Sequence, residues 1–248
     1  MSVWSSQWTY PGWMFVPCKP NPFGNEYHST CCRLSHIKYS SELVEGKDWP
    51  HQSPPKKFEE KGRTTGLLLR LCESIMHSGR VVIMDSGFCV LQALIELLLI
   101  GVYSSAVIKK RRYWPKYIDG EGIDQHFLTK EVGQCDSIPG TLSGRAFSIF
   151  CMKEENYTIK LMAMYGALVE IDASKTLRSL TAVNGEKFIK LLNFNESFHN
   201  HFKFCHQVDD HNNSRHSPLS LDERWATKDW KHQVFSFVIS LAEANASL

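Results

Sequence analysis

The chain has 248 residues, 43% of them hydrophobic and 22% charged, a composition that excludes a disordered protein. Its formal net charge of +2 is nearly neutral, so nucleic-acid binding is not indicated by total charge and would need a local basic patch. The longest apolar stretch, 90–108, is broken by four polar residues and favours a buried helix and strand over a membrane span. The N-terminal residues lack a signal peptide's basic start and apolar run. Eight cysteines without a Cys-x-x-Cys pair are typical of a reducing compartment.

The first predicted elements are short. Residues 1–25, rich in Trp, Pro and Gly, are predicted to be irregular. Two short strands are expected over 26–35 and 37–44, followed by a proline-containing loop over 45–61.

An alternation of helices and strands is predicted next. Thr64 or Thr65 is expected to cap a helix that Gly79 ends. The apolar run Val81–Met84 is typical of a strand covered on both faces. A second helix and a second buried strand follow at 90–99 and 104–108. Because the links between these elements are short, we expect the two strands to be parallel with right-handed crossovers.

The middle of the chain predicts antiparallel structure, and its end predicts a helix. Apolar runs at 147–152 and 158–164 flank a polar turn, which indicates a hairpin within an inserted antiparallel unit of about 110–195. Thr227 is a good N-cap for a long C-terminal helix.

Two acidic positions are candidates for chemistry. Asp85 follows the first buried strand, where it is either a metal ligand or catalyst, or a cap for the helix that follows. Asp209 and Asp210 lie in a polar run, 208–213, where Asp and Asn are either hard oxygen ligands or helix-entry residues. Taken alone, this second site favours the helix-entry interpretation.

Three blocks of sequence, in matching order, resemble the piggyBac transposases. One is Met-Asp-Ser-Gly-Phe at 84–88, followed by a leucine-rich helix and by the glycine, strand, basic run and Pro-Lys of 101–116. A late block extends from the Gln-Val-Asp of 207–209 to the Glu-Ala-Asn-Ala of 243–246. The early block, 11–28, contains Lys-Pro-Asn-Pro-Phe-Gly-Asn-Glu.

The resemblance implies an α/β fold with a ribonuclease-H-like core, a mixed sheet flanked by helices and carrying an inserted antiparallel β unit. It also implies three aspartates that hold two Mg²⁺ ions for phosphodiester cleavage and transfer. Asp85 matches the second aspartate and Asp209 the third, with Asp210 as a neighbour that can be confused with it. Many members have a further aspartate where this chain has the neutral Asn212.

The resemblance further implies DNA as the partner and the nucleus as the location, allows a homodimer, and includes no membrane. A basic run follows the second buried strand and consists of Lys109, Lys110, Arg111 and Arg112. These residues either bind DNA phosphates or are a solvated strand end.

The main departure from the family pattern is at the start. The family's first aspartate and first core strand precede the early block, whereas the first aspartate of this chain is Asp48, in a loop. We therefore expect a partial domain lacking the first core strand, with 26–35 and 81–84 on either side of a gap. Three hypotheses stay open. The chain has lost an ancestral transposase activity, or it is a noncatalytic DNA- or protein-binding remnant, or it is a truncated gene model whose true N-terminus holds the missing aspartate.

Other catalytic and metal sites are not favoured by the sequence. No nucleophile motif is present. Two groups of cysteines and histidines can be imagined as zinc sites, but neither has the paired spacing of zinc ligands. They are His28, Cys31, Cys32 and His36, and Cys205, His206 and His211.

Overall fold

Residues 13–15, 17, 23–44, 55–109, 118–165, 170–182, 184–215 and 230–247 are described by the computed structural model. The predictions for 1–8 and for Thr227 lie outside these residues. The chain divides into two units, one formed by Met1–Lys56 with His206–Leu248 and the other by Lys57–Cys205.

The elements, in chain order, are as follows. The strands are β1 (Trp13–Phe15), β2 (Phe23–Asn25), β3 (Tyr27–Cys31), β4 (Lys38–Leu43), β5 (Val81–Met84), β6 (Tyr103–Val107), β7 (Cys135–Leu142), β8 (Arg145–Lys153), β9 (Thr158–Ala163), β10 (Glu170–Thr181) and β11 (Lys187–Asn195). The helices are α1 (Arg63–Leu71), α2 (Leu91–Leu99), α3 (Gly120–Leu128), α4 (Glu196–Phe204), α5 (Gln207–Arg215) and α6 (Trp230–Ala246).

A five-stranded mixed sheet forms the centre of the 57–205 unit, in the order β5-β6-β9-β8-β7. β5 and β6 are parallel, as predicted, with Val81 opposite Tyr103 and Met84 opposite Ala106. The predicted hairpin is β8 with β9, and β9 also pairs antiparallel with β6. The hairpin thus extends the sheet that the two parallel strands begin, while the boundaries predicted for an insertion stay a prediction.

Both faces of β8 and β9 are covered, which explains the apolar runs in these two strands. Ile149, Cys151 and Met162 pack in one core cluster with the apolar residues of α1, α2 and α3. Their neighbours in sequence, such as Phe150 and Leu161, pack in a second cluster with β10, β11 and α4. Side chains alternate between the faces of a strand, so helices on one side and a β ribbon with a helix on the other bury the whole strand. A mixed α/β fold is confirmed.

The start of α1 differs from the prediction. The helix begins at Arg63, after Gly62, and not after Thr64 or Thr65. Gly62 has a φ of 92°, in the region that favours glycine, and its carbonyl accepts the first helical bond from Gly66 N–H. Thr65 is instead buried in the helix interior. A 3₁₀ turn at Glu59–Lys61 precedes Gly62, so the helix begins earlier than the predicted threonine cap.

In the described residues of the other unit lie two small antiparallel strand pairs and the helices α5 and α6. β3 pairs with β4, and these are the two predicted short strands. β1 pairs with β2, in a segment that was predicted to be irregular. α5 packs against β3 and α6. Tyr27 of β3 stacks on Phe237 of α6 with ring centroids 3.9 Å apart. β3 and β5 lie in different sheets, and within the described residues β5 is an edge strand. The segment 1–8, on which the expected gap depends, is outside those residues.

In the parts of the chain with described coordinates, no helix combines the length and the apolar character needed to cross a bilayer.

Candidate functional site

Asp85 lies at the carboxyl end of β5, exposed to solvent. Its Oδ1 accepts a hydrogen bond from Ser86 N–H at 2.6 Å and caps the 3₁₀ turn Ser86–Phe88. Asp85 was considered from the sequence as a cap for the following helix, but it caps this turn instead, and α2 begins after Val90 without a side-chain cap. Because a carboxylate has two oxygens and about four lone-pair sites, this bond leaves it able to bind other partners.

The parallel pairing of β5 and β6 brings a carboxylate and the start of the basic run to one edge of the sheet. Met84 pairs with Ala106, so Asp85 and Val107 are the next pair of positions along the two strands. Lys109 follows shortly after β6 and is exposed. Lys110, Arg111 and Arg112 lie outside the described residues. At this edge of the sheet, the Asp85 carboxylate and the Lys109 ammonium group are both exposed to solvent.

Asp209 and Asp210 lie in the first turn of α5, and both are exposed. A carboxylate is favourable there because the unpaired N–H groups of the first turn make that end of the helix positive. The Oδ2 of Asp210 also accepts from Gln207 Nε2 at 3.3 Å. Asp85 and Asp209 belong to different units, so their convergence on one site stays a prediction.

Asn212 is not suited to bind a metal ion. Lys38 Nζ lies 3.1 Å from Asn212 Oδ1, and Lys38 is only 6% exposed. An ammonium group has hydrogens to donate and cannot accept, so it engages the oxygen of the amide, which is the only atom of that side chain with metal-ligand character. A divalent cation at the same oxygen would be repelled by the ammonium charge.

Burial raises the pKa of four of the described cysteines, and hydrogen bonding lowers the pKa of one. Burial raises the pKa of Cys72, Cys89 and Cys151 to about 12. Burial also raises the pKa of Cys31, whose thiol lies 3.0 Å from the carbonyl of His36. Hydrogen bonds from the hydroxyl and backbone of Ser35, which stabilise the thiolate, lower the pKa of Cys32 to about 6.

A zinc site is not found where the sequence raised it. Among the residues with described positions, no group of three or more His, Cys, Asp or Glu side chains is arranged to hold a metal ion. All residues of the two cysteine and histidine groups considered from the sequence are among these described residues. Two aspartates alone do not form such a group, so the proposed pair Asp85 and Asp209 is not tested by it.

An open cleft of about 720 Å³ lies between α3 and the β7–β8 hairpin. Its walls are Ile123, Phe127 and Ile138, and at its mouth His126 Nε2 lies 3.3 Å from Asp136 Oδ2. No sequence motif predicted this cleft. The one available signal was Asp119 followed by Glu121, the pattern of a capped helix start, and Asp119 Oδ1 does cap α3.

Comparisons with known proteins relate the chain to transposases. The family described as Transposase IS4 matches residues 7–247. A cryo-EM structure of a piggyBac transposase synaptic complex with hairpin DNA is similar over 95% of this chain, with a TM-score of 0.66 and 14% sequence identity. The chain spans 42% of that protein's chain. No curated protein sequence matches. At this identity the structural likeness establishes a shared fold, which is ribonuclease-H-like.

Proposed function

The chain belongs to the Transposase IS4 family, of piggyBac type, and from this membership we propose that Asp85 and Asp209 are metal ligands inherited from a DNA-cutting enzyme. The observation that supports the proposal is the position of Asp85. It is an exposed carboxylate directly after a strand that is parallel to its neighbour, at the sheet edge where open α/β sheets place ligand-binding residues.

The donor atoms fit Mg²⁺ in type. Carboxylate oxygens are hard ligands, and Mg²⁺ is commonly bound through one or two carboxylates with water completing its shell. When bound, the ion would stabilise charge on phosphate oxygens and on the attacking and leaving oxygens. Asp85 would contribute from its strand end, with Ser86 N–H holding its orientation. Asp209 would contribute from the first turn of α5, and Asp210 is the neighbouring alternative.

We propose that these 248 residues alone do not cut or join DNA. The family resemblance assigns three aspartates to two ions, and these 248 residues supply two of them, Asp85 and Asp209. The first aspartate in the sequence, Asp48, lies in a predicted loop. Two carboxylates provide too few anionic ligands to hold two closely spaced dications.

A second candidate function is noncatalytic binding to DNA, with the nucleus as the corresponding location. It is supported by Lys109, an exposed cation at the same edge of the sheet as Asp85. The basic sequence continues through Lys110, Arg111 and Arg112. Such a run would neutralise phosphates without reading base sequence. Assembly as a homodimer stays a prediction.

Metal binding and strand cleavage test the first proposal. Mn²⁺ titrations of the purified chain should show binding that weakens in Asp85→Asn and in Asp209→Asn. Asp136→Asn, another exposed aspartate, is the matched control and should bind like wild type. Duplexes carrying transposon ends should stay uncut with Mg²⁺ or Mn²⁺. Equal Mn²⁺ affinity in all four proteins would refute the ligand assignment, and cleavage that Asp85→Ala abolishes would refute the proposed inactivity.

Salt dependence tests the second candidate. Affinity for a DNA duplex should fall steeply with salt, and each lost phosphate contact should reduce the slope of log K against log salt by about 0.9. Neutralising 109–112 should therefore reduce that slope. Lys187→Ala, an exposed lysine on β11, is the control and should leave it unchanged. An identical slope after neutralising residues 109–112 would show that these residues do not contact DNA phosphates.

A further inference from the structure

We propose that Asn245 is a positioning residue for α5, the helix that carries Asp209: its side-chain amide ties β4 to His211 and so fixes the rotation of that helix. The structural part of this inference stands on contacts within one unit. Its functional part rests on the role proposed above for Asp209.

The amide of Asn245 bonds Lys38 as a neighbouring strand would. Lys38 N–H donates to Asn245 Oδ1 at 2.9 Å, and Asn245 Nδ2 donates to the carbonyl of Lys38 at 3.2 Å. A backbone N–H can only donate and a carbonyl can only accept, so these two contacts together determine which end of the amide is oxygen. α6 is thereby attached to the edge of the β3–β4 hairpin.

The same oxygen determines the tautomer of His211. His211 Nε2 lies 3.0 Å from Asn245 Oδ1, and His211 is fully buried on α5. Because Oδ1 is an acceptor, Nε2 must carry the hydrogen that is shared between them. Asn245 therefore joins β4, α5 and α6 through one side chain.

Lys38 adds a second connection between β4 and α5. Its side chain is buried, and Nζ donates to Asn212 Oδ1 at 3.1 Å. Adjacent residues of α5, His211 and Asn212, thus bond a residue of α6 and a residue of β4 respectively. Two contacts about 100° apart around a helix axis determine its rotation, whereas one would leave it free to turn.

Polar contacts matter here because α5 has no apolar stripe. Its sequence is Gln-Val-Asp-Asp-His-Asn-Asn-Ser-Arg, with Val208 as its one aliphatic residue. A helix of nine residues with this composition is marginal alone, and hydrophobic burial cannot select which of its faces is inward. His211 faces inward, so Asp209, roughly 200° away, faces solvent. Loss of the network would change the direction of the Asp209 carboxylate.

Hydrogen exchange of the full chain tests the structural part. Asn245→Ala removes three hydrogen bonds and should speed exchange of the α5 amides on the order of tenfold or more. Exchange in β8 and β9 should be unchanged. Asn213→Ala removes an exposed amide from α5 itself and is the control, expected to match wild type. Wild-type protection of α5 in Asn245→Ala would overturn the proposal.

Two further measurements guard against a variant that does not fold. Asn245→Asp keeps the acceptor for Lys38 N–H and His211 but loses the donor to the Lys38 carbonyl, so its exchange should be intermediate. In the wild-type chain labelled with ¹⁵N-histidine, and assigned with His211→Gln, the His211 ring should carry hydrogen on Nε2. Observation of the Nδ1–H tautomer would overturn the network without any variant at Asn245.

Mn²⁺ affinity separates the two proposals. If Asp209 is a ligand and Asn245 positions it, Asn245→Ala should weaken Mn²⁺ binding on the order of tenfold, as outer-shell substitutions do, and Asn213→Ala should not. Faster α5 exchange with no Asp209-dependent Mn²⁺ binding in wild type would sink the metal role and support the network. Unchanged α5 exchange in Asn245→Ala, together with Asp209-dependent Mn²⁺ binding in wild type, would overturn the network and support the metal role.

Discussion

Gly140→Ala should destabilise the 57–205 unit because the added methyl group has no room. A Cβ at Gly140 would lie 2.4 and 2.8 Å from ring atoms of Phe147, its partner across the β7–β8 ladder. Carbon atoms normally approach to about 3.5–4.0 Å, so the overlap is about 1 Å. The Phe147 ring is only 2% exposed and belongs to the core, and it cannot swing aside freely.

The expected cost follows from two opposing effects. Overpacking of this kind costs about 1–3 kcal/mol, and replacing glycine by alanine restricts the unfolded chain, which offsets about 0.4–1 kcal/mol. We expect the free energy of unfolding to fall by about 1–2 kcal/mol, and the melting temperature to fall by roughly 2–4 °C per kcal/mol. Urea denaturation followed by far-UV circular dichroism measures the first quantity, and calorimetry the second.

A matched glycine and a double mutant make this prediction refutable. Gly87 has no atom within 4 Å of an added Cβ and a φ outside the left-handed region, so Gly87→Ala should be neutral or slightly stabilising. Adding Phe147→Leu to Gly140→Ala should give a total cost smaller than the sum of the two, because the smaller side chain removes the clash. Equal effects at Gly140 and Gly87, or additive costs, would show that the ring does not limit the space.

Three other outcomes are expected from the core, the turn and the ribbon. Leu94→Ala should cost about 3–5 kcal/mol because Leu94 is fully buried, whereas Leu99→Ala at an exposed site should cost less than about 0.5 kcal/mol, both measured by urea denaturation. Cys32, with its pKa lowered to about 6, should react with iodoacetamide at pH 7 and stop reacting as the pH falls below 6. Cys72, with its pKa raised to about 12, should be labelled only after unfolding. Equal labelling of both cysteines in the native protein would contradict this. Arg178→Ala breaks a partly buried ion pair and a cation–π contact and should cost about 1–2 kcal/mol, and an unchanged denaturation midpoint would show that neither contributes.

Local patterns were sufficient for the elements that begin the central sheet. β5 is a continuous apolar segment, α2 is a leucine-rich segment that ends just before Gly101, and β8 and β9 flank a polar turn, so each was predicted close to its observed bounds. The pairing of β9 with β6 has no local signature, because it joins strands that are distant in sequence. β7 was missed because it contains Pro139 and Gly140, which are unfavourable within strands and are tolerated here at the edge of the sheet.

The candidate site was predictable to the same local extent. A strand followed by Asp85 is a short-range pattern, and its position at the strand end is confirmed. The helix-entry interpretation agrees with the position of Asp209 in the first turn of α5, but the bounds of that helix were not predicted, because a sequence with one apolar residue shows no helical periodicity. Its contacts come from Lys38 and Asn245, which are far away in sequence and carry no motif that would pair them. The resemblance to transposases supplied the role of Asp209, and the residues alone favoured a helix entry.

The pairing of β6 with β9 has a consequence for a ribosome-bound chain. When β5 and β6 emerge during synthesis, they can pair at once, yet the other edge of β6 must wait until α3, β7 and β8 have also been made. During that interval β6 exposes unpaired backbone N–H and C=O groups, which can pair with other nascent chains. Expression at low temperature or with a chaperone that holds extended chains should therefore raise the soluble yield more than changes made after release of the finished polypeptide.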